Sequence, residues 1–128
     1  MIKQLIVEKK IDSPGYTAID LTPIVVEVVG SYGLVDGIIL AHAPESRTIV
    51  TMIEYEPELL KDLEDFIEKL ESPAVAEALL GKSVAIPVEN GELSQGVFKH
   101  IVFIDLSRVK GEKRVVFVLE GSFREDRN

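Results

Sequence analysis

Two stretches near the C-terminus, "GVFKHIVFIDL" (96–106) and "KRVVFVLEG" (113–121), are almost unbroken runs of β-branched, aromatic and aliphatic residues. Such residues suit the pleated surface of a sheet better than a helix. Runs that are apolar at successive positions describe strands covered on both faces. The linker "SRVKGE" joins them as two long neighbouring strands, which predicts a hairpin. A chain of 128 residues makes one domain. A small single-domain monomer rarely covers both faces of two such strands, so a second subunit is expected to supply the missing cover.

A second hairpin is signalled by "ENGEL" (89–93), where Asn90-Gly91 suits a type I′ turn. The strand before it, "SVAIPV", contains Pro87, which has no N–H for a ladder and belongs at an edge or a strand end. The clearest helix starts at Pro57: Leu59, Leu60, Leu63, Phe66, Ile67 and Leu70 share one face, opposite Lys61, Asp62, Glu64, Asp65, Glu68 and Lys69. Asp65 and Lys69 are spaced for an i,i+4 ion pair. Ser72-Pro73 caps and starts a short helix that Gly81 ends. Thr22-Pro23 starts another, with threonine as the cap, ending near Gly30. Residues 3–11, "TAIDL", "DGIILA" and "SRTIVTMI" read as further strands, with a Pro14-Gly15 turn after the first and "DGIILA" covered on both faces. The expected fold is α+β: a single domain over 1–128, with a largely antiparallel sheet or sandwich and helices packed on one side.

The formal net charge of −8 argues against nucleic acid and against an anionic membrane surface, both of which select clustered Lys and Arg. No apolar run approaches the length of a spanning helix, and "MIKQLIVEKK" lacks the small-residue cleavage site of a signal peptide. There is no cysteine, which excludes disulfides, thiol nucleophiles and thiolate metal sites and fits a cytoplasmic setting. Gln4, Gln95, Asn90 and Asn128 are the only side-chain amides; with abundant Glu and Val they hint at a heat-adapted source.

The residues with chemistry to offer are few. His42 and His100 are the two histidines, with neither HxxxH nor HExxH spacing, so no metal site is read from the sequence. His42 ends an apolar strand and precedes a proline-containing loop with Ser46, a place where functional groups sit on a rigid scaffold. A triad using Ser46 lacks the GxSxG elbow. His100 shares a strand face with Phe98, Val102 and Ile104, the setting of a hydrogen-bonded histidine in a half-buried sheet or interface. "GSYGLVDG" matches no phosphate-binding glycine loop.

The segment "ALLGKSVAIPVENGELSQGVF" (78–98) resembles the YjbQ-like family, also called secondary thiamine-phosphate synthase enzymes. The family's leucine-leucine-glycine turn, isoleucine-proline-valine strand end and asparagine-glycine hairpin read here as Leu79-Leu80-Gly81, Ile86-Pro87-Val88 and Asn90-Gly91. Its glycine-x-tryptophan-glutamine step reads Gly96-Val97-Phe98-Lys99. Its glycine, apolar strand, His-Thr-Thr-Ala-Ser pattern is similar to "GIILAHAPES", which keeps His42 and Ser46, and "EPELLKDLEDFIEKL" looks like the helix that follows. The family's second histidine segment is replaced by "ESPAVAE", which has no histidine. The family's glutamate after the His-Thr-Thr motif has Thr51 or Glu54 in its neighbourhood.

The resemblance implies a homotrimer with pockets at subunit boundaries, thiamine-phosphate synthesis as the activity and Mg2+ as the cofactor. Two functions are open on this basis. One is a pocket for a small phosphorylated or anionic metabolite, with His42 as hydrogen-bond donor or proton carrier and Ser46, Arg47, Phe98, Lys99 and His100 as ligand-binding residues. Lys99, Arg47 or His100 would reach it from a neighbouring subunit. The other is a non-catalytic homotrimer for ligand binding or protein interaction.

Overall fold

The computed structural model describes residues 2–94, 96 and 99–124. The chain runs β1 (Ile2–Ser13), β2 (Thr17–Asp20), α1 (Thr22–Tyr32), β3 (Leu34–His42), β4 (Thr48–Glu54), α2 (Pro57–Leu70), α3 (Pro73–Leu80), β5 (Ser83–Glu89), β6 (Glu92–Leu93), β7 (Lys99–Asp105) and β8 (Gly111–Phe123). The strands form two antiparallel sheets, one ordered β1-β8-β3-β5-β6 and the other β2-β7-β4. The α+β architecture expected from the sequence is therefore present.

The two C-terminal runs do not form a hairpin. β7 lies between β2 and β4, whereas β8 lies between β1 and β3 in the other sheet. The segment between them crosses from sheet to sheet, and its Arg108 takes a left-handed conformation (φ 59°). The physical reason lies in the pattern of each strand. Ile101 and Phe103 of β7 face the core between the sheets with Val115, Phe117 and Leu119 of β8. Val102 and Ile104 face the opposite way, against Ile67 of α2 and Ala76 of α3. β7 is thus covered on both faces within one chain, by a sheet on one side and helices on the other.

Among the exposed apolar residues, Ile2, Ile6 and Ile38 lie on the outer face of the five-stranded sheet, and others, Phe66 and Leu79 among them, lie on the helices. β3 alternates, with Ile39 and Ala41 buried and Ile38 46% exposed, so "DGIILA" is covered on one face of the single chain and not on both.

α1 closes the sandwich with Val25, Val28 and Val29. It reaches Tyr32, and Gly33 ends it in the left-handed region, three residues beyond Gly30. Thr22 is not its cap. Its hydroxyl accepts the Ile101 N–H at 3.0 Å, and the Thr22 N–H is taken by Asp20 Oδ1 at 3.0 Å. Threonine therefore ties the helix start to β7, and the aspartate two residues earlier satisfies the exposed donor. Ser72 does cap α3, accepting from the Val75 N–H at 3.3 Å. On α2, Asp65 pairs with Lys61 at 2.7 Å rather than with Lys69.

Asn90 and Gly91 both have positive φ (52° and 78°), as a type I′ turn requires. Pro87 faces Ile38 across β3, and its carbonyl accepts from the Ser94 N–H. The missing proline N–H therefore lies on the β6 side, where β6 is only two residues long.

Candidate functional site

His42 is the last residue of β3, in register with Ser83 of β5 and Val116 of β8. Strand alternation puts it on the same outer face as Ile38 and Leu40. There its Nδ1 is hydrogen-bonded to Ser83 Oγ at 2.6 Å, which fixes the ring and leaves Nε2 as the second polar atom. One step along the sheet, Ile6, Val118, Leu40 and Ala85 stand side by side across four strands. Ile6 is 71% exposed. His42 thus borders an open apolar row.

The loop after His42 is held by charge. Lys82 Nζ donates to the carbonyls of Glu45 (2.7 Å) and Thr48 (2.5 Å) and to Glu77 Oε1 (2.6 Å). Glu77 also accepts the Arg47 N–H at 3.0 Å. Burial pushes the Glu77 carboxyl up, but the Lys82 ammonium and the Arg47 N–H outweigh it and hold it below the usual carboxylate range. Glu45 accepts the Arg114 N–H at 2.7 Å from the far side. Ser46 and Arg47 stand exposed on this pinned loop, with Arg47 at φ 67°.

His100 belongs to a second group. Its Nδ1 donates to Asp20 Oδ2 at 2.8 Å, and its ring stacks on Tyr55 with centroids 5.7 Å apart. Burial raises the Asp20 carboxyl, but the Thr22 N–H and the His100 hydrogen bond outweigh it, and the net shift is downward. Lys99 is in register with Glu54 beside this group. Phe98 lies outside the described residues.

The predicted site residues therefore form two groups at opposite ends of β4. Lys82, next to Ser83 and His42, binds Thr48 at the start of that strand, whereas His100 and Lys99 face Ile53 and Glu54 at its end. A seven-residue strand separates its ends by roughly 20 Å. Within one chain His42, Ser46 and Arg47 do not meet Lys99 and His100.

Nor do the residues around His42 make a Mg2+ site within one chain. Mg2+ seeks an octahedron of oxygen ligands. Here Ser83 is bound to His42, Glu45 is engaged by Arg114, and no group of three or more His, Asp or Glu among the described residues is placed to hold a metal. Ser83, Lys82, Glu77 and Arg114 escaped the sequence reading because each reaches the site through strand or loop pairing at long sequence separation. The hydrogen bond between His42 and Ser83 spans 41 positions.

Comparison with known proteins agrees with this architecture. The model of the family described as UPF0047 protein YjbQ-like matches residues 8–122. A UPF0047 protein of Archaeoglobus fulgidus is 33% identical over 99 residues, covering 66% of this chain and 79% of that one. A YbjQ-like protein of unknown function from Sulfolobus solfataricus P2 superposes with a TM-score of 0.88 at 19% identity, over 95% of this chain and 100% of the other. A hypothetical protein from Aeropyrum pernix K1 superposes with a TM-score of 0.85 at 23% identity, over 92% and 99%. The structural matches carry the fold and the sequence matches carry the lineage: the chain belongs to the UPF0047 family of YjbQ-like proteins.

Proposed function

We propose that this chain works as a homotrimer that holds a small phosphorylated or anionic metabolite at each subunit boundary, around His42. The observation that carries this reading is the place of His42 on the open sheet face, beside the apolar row of Ile6, Val118, Leu40 and Ala85. Burying apolar surface is worth about 25 cal/mol per Å2, so a neighbour seated on that row is favoured and arrives next to the imidazole. Contacts in a ring of three are heterologous, one surface meeting a different one on the next subunit. The Lys99–His100 end of a neighbour would supply a cation and an aspartate-oriented imidazole that one chain does not bring to His42. Ser83 fixes His42 Nδ1, so Nε2 is the atom for a ligand oxygen.

Thiamine-phosphate synthesis is the finer activity that the family likeness implies. Joining two phosphorylated precursors with loss of pyrophosphate needs several cationic groups on the leaving oxygens. A non-catalytic homotrimer for ligand binding or protein interaction is the second reading. It is favoured by α3, which fills the interval of the family's second histidine segment with Pro73, Ala74, Val75 and Ala76.

Sedimentation analysis and calorimetry with thiamine phosphate, pyrophosphate and inorganic phosphate test both. The expected result is a trimer whose anion affinity falls at least tenfold in His42→Ala without loss of assembly. Binding without turnover supports a pocket that has lost its chemistry, and silence across the panel favours the second reading. A monomer, or binding indifferent to His42, overturns the pocket.

A further inference from the structure

A second site is independent of His42. Between α2 and the free edge of β2 lies an open cleft of about 360 Å3. Its walls are Leu60, Leu63 and Ile67 from the helix, Ala18 from β2, and Ile104 and Leu106 from the end of β7 and just beyond it. Its volume falls within the range of small-molecule sites. The cleft exists because α2 stands away from the sheet on this side. Of its apolar stripe only Ile67 is buried, while Leu60 and Leu63, at the centre of the stripe, are only partly buried. Ala18 is too small to fill the gap.

The charges at the mouth define what fits. Each nearby cation is committed to a carboxylate. Lys61 pairs with Asp65 at 2.7 Å, and Arg108 pairs with Glu68 at 3.3 Å while resting over the Tyr16 ring, 3.9 Å from its centroid. The Tyr16 hydroxyl donates to Glu68 as well. The Glu64 side chain, on the rim, has no hydrogen bond or ion pair among the described residues, although its charge also acts on Lys61, which lines the same cleft and is bonded to Asp65. Burial first, and then Glu68 and Glu64, push the Tyr16 hydroxyl up to about 12, against the opposing charge of Arg108.

We infer that this cleft binds a small apolar molecule bearing one positive charge, its body between α2 and β2 and its ammonium group on the Glu64 carboxylate. An apolar body without charge gains the same burial but no ion pair. An anionic counterpart meets the Glu64 carboxylate and is disfavoured.

The test is a protein-observed NMR titration of the full chain with 1-naphthylmethylamine, 1-naphthalenemethanol and 1-naphthoate. The expected result is shifts confined to the amides of residues 16–18 and 60–67, with the amine bound tightest and the carboxylate weakest. Glu64→Gln, an exposed change that leaves packing intact, should cut amine affinity about tenfold and leave the alcohol unchanged. Ala18→Leu, which fills the cleft, should abolish binding of both. Tightest binding of the carboxylate, an amine preference that survives Glu64→Gln, or no binding of any probe overturns the inference. So does protection of these amides by self-association, since a second copy would then be the occupant.

Discussion

Asp105 has no accessible surface, yet it is ionised and fully engaged. Ser13 donates to Oδ2 at 2.6 Å, the Ser107 N–H donates to Oδ1 at 2.8 Å, and Lys113 stands 3.7 Å away. Burial alone would raise its carboxyl, but these donors and the lysine charge more than offset it and hold it below the usual range. A carboxylate with a depressed folded value contributes stability that is present above the unfolded value, near 3.9, and lost as pH falls through the folded one. Denaturant melts should therefore show an acid limb below about pH 4 that Asp105→Asn flattens. The same substitution should cost about 3–5 kcal/mol at pH 7, because it leaves Lys113 buried without its charge partner. An unchanged acid limb would remove Asp105 from the account. The sequence offers Ser13, Asp105 and Lys113 as unrelated polar residues. Only the crossing of the chain from β7 to β8 brings the three together.

At the level of elements, β3 and β8 are held close by a pair of glycines. Gly37 and Gly121 face each other in register, with φ of 153° and 150°. A Cβ on Gly37 would overlap the Glu120 carbonyl oxygen, and one on Gly121 the Asp36 carbonyl oxygen, both of them backbone atoms that cannot swing away. Gly121→Ala should cost about 3 kcal/mol by urea unfolding, more than an ordinary glycine-to-alanine change in a strand. Ser72→Ala should cost about 1 kcal/mol, the worth of the α3 cap. Equal costs for the two would deny the close approach of the strands.

The caps and turns were legible because they are local: Ser72-Pro73 and Asn90-Gly91 act within a few residues of themselves. Thr22 does not cap α1 because a partner distant in sequence, Ile101, competes for its hydroxyl and wins. Gly37 was visible only as the boundary of an apolar run, since its need for φ in the positive region arises from a strand 84 positions later.

The whole molecule is a sandwich whose three-stranded sheet is covered twice and whose five-stranded sheet is covered once. The apolar character of β7, which alone would point to oligomerisation, is satisfied inside the chain. The case for assembly passes instead to the outer row centred on Leu40 and Val118. If the proposed trimer forms through this row, Ile6→Glu combined with Leu40→Glu should convert it to monomer in sedimentation experiments. It should also remove the concentration dependence of Tm that assembly confers. Retention of both would show that this face is not the interface.

Alternation, caps and turn residues determined the element types and the α+β class, because each depends on spacing along the backbone, while the likeness to YjbQ-like proteins rested on particular motifs such as Ile86-Pro87-Val88 and the run ending in His42. Strand order, the separation of β7 from β8, the parting of His42 from His100 and the cleft beside α2 were decided only in three dimensions. Which strand lies beside which depends on apolar faces finding cover at long range, and adjacent residues carry no record of that choice.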